Sequence, residues 1–203
     1  MEFERAVRAR RMVRNFTDEP VPTELVDELL DLARRAPSAG YSQGVSFLVL
    51  EGQDVAAFWD TTLAEEKRAT FPWPGLLHAP VMILPLGDAE RYVERYAEPD
   101  KARTGLGTGA DAWEIPYWHV DCAMATQNLL LAAVDRGLGA LFFGLFDNEA
   151  TVCDMAGIPD GVRPIGAVAL GWPAATDRPS ASVSRGRRPL ADIVHRGRWG
   201  GRA

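Results

Sequence analysis

Arg10-Arg11-Met12-Val13-Arg14-Asn15-Phe16 sets three arginines within five residues of a chain whose formal net charge is -6. A cationic cluster this dense in an acidic protein calls for an anion. Phosphate suits it, because the forked guanidinium donors bond two oxygens at once. A solvated basic face is the alternative that this stretch alone leaves open. A second cluster, Ser184-Arg185-Gly186-Arg187-Arg188-Pro189, lies near the other end of the chain. Both can hold one phosphate only in a fold that brings the termini together, as compact domains commonly do.

The totals narrow the field. At 203 residues and 47% hydrophobic, the chain has enough apolar material for one domain with a sizeable core, so a single domain over 1–203 is expected. The acidic balance argues against a nucleic-acid or anionic-membrane partner. No apolar run is long enough to span a bilayer, and no apolar stretch follows the early charges as in a signal peptide. A soluble cytoplasmic protein is the expectation. Cys122 and Cys153 fall in no CxxC or Cys/His pattern and read as ordinary thiols. His78, His119 and His195 are too scattered to suggest a metal site.

Working outward from the first cluster, residues 3–14 read as a short helix ending near Asn15. Leu25, Leu29, Leu32 and Ala36 recur at helical spacing, so a helix is expected over 23–36, with Thr23 as its cap and Pro37 as its stop. Short apolar runs at 45–50, 81–86, 138–143 and 165–172 read as buried strands. Helices are expected over 54–69, from a cap at Asp88 to Tyr96, and from a cap at Asp147 to Met155. The stretch 119–136 is apolar almost all round and stops at Gly137, so it is either the central helix, part of an oligomer interface, or both.

Residues 97–118 are the least regular. Their glycines and their Trp113-to-Trp118 aromatics suggest a lid that covers something flat, or a surface insertion whose tryptophans pack on the body. Gly105, Gly107 and Gly109 lack the flanking strand and helix that a dinucleotide-binding turn needs. The tail from 174 to 203 is polar and reads as a C-terminal arm.

The motifs occur in a specific order. The arginine segment is followed by Pro20-Val21-Pro22 and Ala36-Pro37-Ser38-Ala39-Gly40-x-Ser42-Gln43. After these come Gly137-Leu138-Gly139, Gly157-Ile158-Pro159, Ala169-Leu170-Gly171-Trp172-Pro173 and Arg187-Arg188-Pro189-Leu190. This series, covering about residues 5–195, resembles the nitroreductase superfamily of FMN flavoproteins. The resemblance implies an α+β fold with a mixed central sheet flanked by helices. It also implies an intertwined homodimer with FMN at the subunit interface. On that pattern Arg10, Arg11, Met12 and Arg14 lie at the FMN phosphate, ribityl chain and pyrimidine edge, and Arg185 and Arg187 join them at the phosphate. Pro37, Ser38, Ala39 and Tyr41 come from the partner subunit and lie against the isoalloxazine. The segment from Gly139 to Leu145, with Leu141 and Gly144, runs beside the ring, where a backbone N–H can bond N5.

Met12 stands where many family members have serine, Tyr41 where asparagine is common, and Gly44-Val45 where a Pro-Trp pair is common. The loop from Pro37 to Gln43 is most similar to the BluB-like branch, the dimethylbenzimidazole synthases that fragment reduced FMN. That branch carries aspartate at the Met12 position, and a thioether cannot do acid–base work. The resemblance therefore implies FMN binding without fragmentation.

Three functions stay open. One is NAD(P)H-dependent reduction of a small nitro, quinone or enone acceptor by a ping-pong route. Another is storage or sequestration of FMN with little turnover. The third is benzimidazole formation with a different acid or base. Hydride transfer needs stacking at short range rather than a side-chain acid, so no catalytic residue is named. Trp113, Tyr117 and Trp118 are the candidates for stacking on substrate. Ser38 and Ser42 read as flavin or turn contacts, not nucleophiles, because neither has a histidine partner.

Overall fold

The computed structural model describes residues 1–201. Its middle is the apolar run Val81–Asp88, strand β2 in the chain order α1 (Phe3–Ala9), α2 (Thr23–Ala33), β1 (Val45–Glu51), α3 (Gln53–Thr62), α4 (Glu65–Arg68), β2, α5 (Ala89–Ala97), α6 (Tyr117–Asp135), β3 (Gly139–Phe143), α7 (Glu149–Ala156), β4 (Val162–Pro164) and β5 (Ala167–Gly171). The strands are ordered β1-β2-β5-β3, and the short β4 also pairs with β2. All pairings between these strands are antiparallel. The parallel component that makes the sheet mixed is one bridge, between Met12 and Ala140.

Side-chain alternation divides the core into two layers. Met82, Leu84 and Leu86 of β2 and Ala167 and Ala169 of β5 face α3 and α7, where Val55, Phe58, Trp59 and Val152 complete one cluster. Val81, Ile83, Val168 and Leu170 face the other way, onto Val26 and Leu29 of α2 and Leu129, Leu130 and Ala133 of α6. Helices on both faces of one sheet make this an α+β fold. No helix among the described residues is long and apolar enough to cross a membrane.

The strand readings fall within a few residues of the observed bounds, but several helix readings need correction. The first helix ends at Ala9, not near Asn15. Residues 10–16 are instead drawn out along the sheet, because distant carbonyls take their amides: Val13 N–H donates to Ala140 and Phe16 N–H to Gly75. Helix α2 stops at Ala33, short of Ala36, since residues just before a proline avoid helical angles. Thr23 is its first residue and supplies no cap bond. The stretch 54–69 is two helices, broken where Leu63 turns extended. Asp147 caps nothing: it lies in a tight turn, Phe146–Asn148, ahead of α7. Asp88 does cap α5, its carboxylate accepting from Glu90 N–H at 3.0 Å. Strand β4 is too short to leave a periodic signature. Residues 97–118 hold three single 3-10 turns and then enter α6, with no strand-to-helix glycine turn.

Candidate flavin site at the end of β3

Gly139 decides how the arginine segment reaches the sheet. A Cβ there would sit 2.8 Å from a Val13 methyl, so only glycine lets Val13 lie this close to β3. With Val13 seated, Met12 bridges Ala140 and Phe16 bridges Pro173. The start of the C-terminal arm closes over the same segment. Arg14 N–H and Asn15 N–H both donate to Asp177 Oδ1 at 2.9 Å, and Ala174 N–H donates to the Asn15 carbonyl at 2.9 Å. The Asp177 carboxylate, 1% exposed, also holds the Arg11 guanidinium. The start of the C-terminal arm, at Ala174 and Asp177, therefore meets the N-terminal arginine segment.

Arg14 leads into a cavity of about 370 Å³ at the end of β3. Leu141 and Gly144 line it, as do Trp59, Phe71, Trp73 and Phe146. The Arg14 guanidinium sits over the Trp73 ring at 5.2 Å and is the charged group among the described lining residues. Phe146 holds a left-handed backbone, φ 51°, with its ring 85% exposed at the rim. Bulky residues seldom adopt that conformation, and such outliers cluster at ligand clamps. Arg10 carries a buried Nη1 with no hydrogen-bond partner among the described residues. A buried guanidinium nitrogen left unpaired is costly unless a ligand completes it. An anion on Arg10 with a flat apolar ring in the cavity matches this donor set, so the residues present fit FMN.

The remaining candidates lie elsewhere on the chain. Pro37, Ser38 and Tyr41 line a second cavity, of about 430 Å³, with Asp121. Tyr41 and Gln43 are left-handed, at φ 59° and 52°. Ser42 Oγ donates to the Ala39 carbonyl and Ser38 Oγ accepts from Gln43 N–H, so both hydroxyls are engaged within the loop. Ala39, Trp113 and Tyr117 border a third cavity. Trp113 is buried against Tyr92, Tyr96, Tyr117 and Trp118, and its Nε1–H donates to the Leu106 carbonyl at 3.0 Å. The aromatics of this segment pack on one another and on α5. Arg185 and Arg187 are exposed on the arm, beyond the stretch at Ala174 and Asp177 that meets the N-terminal segment.

Sequence reasoning missed Trp59, Phe71, Trp73 and Phe146, because no local pattern marks an aromatic as cavity lining. It also missed Asp121, whose signal was present: a carboxylate in the first turns of a largely apolar helix.

The comparisons follow this geometry. The nitroreductase family model matches residues 7–172. A candidate NADH dehydrogenase/NAD(P)H nitroreductase of Methanothermobacter thermautotrophicus is 29% identical, over 98% of this chain and 88% of that protein. A candidate nitroreductase of Desulfovibrio desulfuricans, solved in complex with FMN, has a TM-score of 0.67 at 28% identity, covering 96% of this chain and 95% of that one. A solved candidate NADH dehydrogenase/NAD(P)H nitroreductase of Parabacteroides distasonis has a TM-score of 0.70 at 21% identity, covering 98% and 99% of the two chains. With the family match running from the first helix to the end of the sheet, the chain belongs to the nitroreductase family.

Proposed function

We propose that this protein is an FMN-dependent NAD(P)H oxidoreductase that works as an intertwined homodimer and reduces a small nitro, quinone or enone acceptor. The observations that carry the reading are the aromatic cavity entered by Arg14 and, in the same N-terminal segment, a buried Arg10 Nη1 with no partner among the described residues. Bound FMN supplies the two-electron chemistry, taking hydride from nicotinamide and passing it to the acceptor. Arg10 and Arg14 hold the phosphate and the polar edge of the ring, with Arg185 and Arg187 brought in by the arm. Leu141 and Gly144 position the ring along the end of β3. Trp59, Phe71 and Trp73 exclude water from it. Arg14 would give a flavin held in the cavity a fixed positive charge, favouring its anionic reduced form. No described residue lining the cavity is Asp, Glu, His or Lys, which suits a reaction that depends on stacking rather than on a side-chain acid.

A homodimer is favoured by apolar surface left uncovered in the single chain. Tyr117, Val120 and Met124 line one exposed side of α6, and Phe3 and Val7 of the adjoining α1 are exposed as well. The arm exposes Val183, Leu190, Ile193 and Trp199. A second copy covering these residues would also bring its Pro37, Ser38, Ala39 and Tyr41 to the flavin. Met12 packs against both core layers and offers no acid or base, which supports FMN binding without fragmentation.

The test is an anaerobic titration of FMN-loaded protein with NADH and NADPH, following the oxidised flavin absorbance. Rapid bleaching by either nucleotide is the expected result. A flavin that resists both yet is reduced by dithionite would overturn the oxidoreductase reading in favour of FMN storage.

A further inference from the structure

Asp121 is 2% exposed, yet no ion pair among the described residues includes it. It lies one turn into α6, and its Oδ2 accepts two hydrogen bonds, from Ala39 N–H at 2.8 Å and from the Tyr92 hydroxyl at 2.7 Å. A carboxylate is expensive to bury without a cation, so the donors it gathers are the reason it is tolerated. One of them belongs to the loop Pro37–Gln43. The other is a fully buried tyrosine of α5 whose ring meets Trp113 and Trp118 edge-on, with centroids 5.8 and 6.0 Å away. Burial, followed by the bond to Asp121, pushes the Tyr92 phenol well above its ordinary value, so it remains a donor at any working pH.

The loop needs this restraint. Tyr41 and Gln43 both occupy the left-handed region without being glycine. Two such residues within three positions persist only where the surroundings over-determine them. Helix α5 adds further clamps. Arg95 Nε donates to the Gly40 carbonyl at 2.9 Å, and Asp100 grips Arg95 through two bonds at 2.7 and 2.8 Å. A Cβ on Gly40 would sit 2.6 Å from the Tyr96 ring. Held this way, the loop turns the Tyr41 side chain outward, 75% exposed.

We propose that Asp121 is a positioning residue: its buried carboxylate ties the Pro37–Gln43 loop to α5 and to the Trp113–Trp118 aromatic segment, fixing the conformation in which Tyr41 is offered to the flavin. The last clause rests on the functional reading above. The tether itself does not.

The experiment compares wild type with Tyr92→Phe, Asp121→Asn and Asp121→Leu by two readouts. Hydrogen exchange over residues 38–44 reports the tether with or without flavin. FMN affinity, with the visible circular dichroism of the bound flavin, reports its consequence. Tyr92→Phe and Asp121→Leu are expected to speed exchange in the loop while leaving β2 protected. Asp121→Leu should weaken FMN about tenfold, as expected for loss of one charge-assisted bond. Asp121→Asn keeps an oxygen that can accept both bonds and should restore most of the affinity and the dichroism. Should Asp121→Leu not fold, Tyr92→Phe carries the test on its own. Unchanged loop exchange in Tyr92→Phe would overturn the tether. An Asp121→Asn protein as impaired as Asp121→Leu would overturn positioning in favour of a need for the charge. Wild-type protein that fails to bind FMN would sink the flavin reading, and the tether would then stand or fall on exchange alone.

Discussion

The Arg14 backbone N–H donates to Asp177 Oδ1 at 2.9 Å across a sequence separation of 163. The same oxygen takes Asn15 N–H, and the carboxylate also holds Arg11. Asp177→Ala would leave two backbone donors unsatisfied beneath the arm. At about 1–3 kcal/mol for each stranded donor, a stability loss of about 2–6 kcal/mol is expected in urea denaturation. A loss below about 0.5 kcal/mol, the size of an ordinary surface change, would show that the arm is not pinned there.

Arg11 is committed to Asp177, whereas Arg10 keeps a buried nitrogen without a partner among the described residues and Arg14 lines the cavity. Arg10→Ala and Arg14→Ala should therefore weaken FMN more than Arg11→Ala does. About tenfold or more is expected for each, the value of one charge-assisted bond. Arg187→Ala should also weaken FMN if the arm delivers it to the phosphate. Flavin fluorescence released after gel filtration reads all four, and equal retention throughout would remove the arginine clusters from the phosphate site.

Gly139→Val should disturb the flavin site from beneath. The first added carbon would already lie 2.8 Å from Val13, and Val13 shares its short segment with Arg10 and Arg14. Overpacking of this kind costs about 1–3 kcal/mol. Thermal unfolding and FMN affinity should fall together. Lowered stability with unaltered affinity would show that Arg10 and Arg14 do not depend on the seating of Val13.

Met124→Asp places a charge in the middle of the exposed apolar side of α6. If that side is the interface, light scattering should register a dimer for wild type and a shift toward monomer for the variant, with FMN lost in step. A wild-type monomer that still retains FMN would contradict the shared site.

His119 prefers its neutral form in the fold, first because it is partly buried and then because the Arg163 charge is near, with Glu149 opposing. Its folded pKa lies below the ordinary value of 6.5. As pH falls through 6.5, the unfolded chain takes up a proton that the folded chain still refuses, so stability drops with acid down to the folded pKa. Well above 6.5, where both states are neutral, the residue contributes no pH dependence. His119→Gln should flatten the fall in stability as pH drops through 6.5. Parallel profiles for variant and wild type would exclude the effect.

The sequence by itself determined the elements whose signals are local. The apolar runs at 45–50, 81–86 and 138–143 became strands, Gly137 closed α6 with φ 76°, and Asp88 capped α5, each because hydrophobic alternation, backbone freedom or a side-chain acceptor acts within a few residues. The order of motifs also led to the family. Only the tertiary structure decided that residues 10–16 run extended, since their partners Ala140, Gly75, Pro173 and Asp177 come from three separate parts of the chain. Sheet order likewise depends on which strands meet, and no strand carries that information alone. The same holds for Asp121 and Trp59: one reads as a stray charge and the other as core until the loop above Asp121 and the cavity beside Trp59 are in place. Local propensity acts over neighbouring residues, whereas a site is assembled from residues that burial brings together across the whole chain.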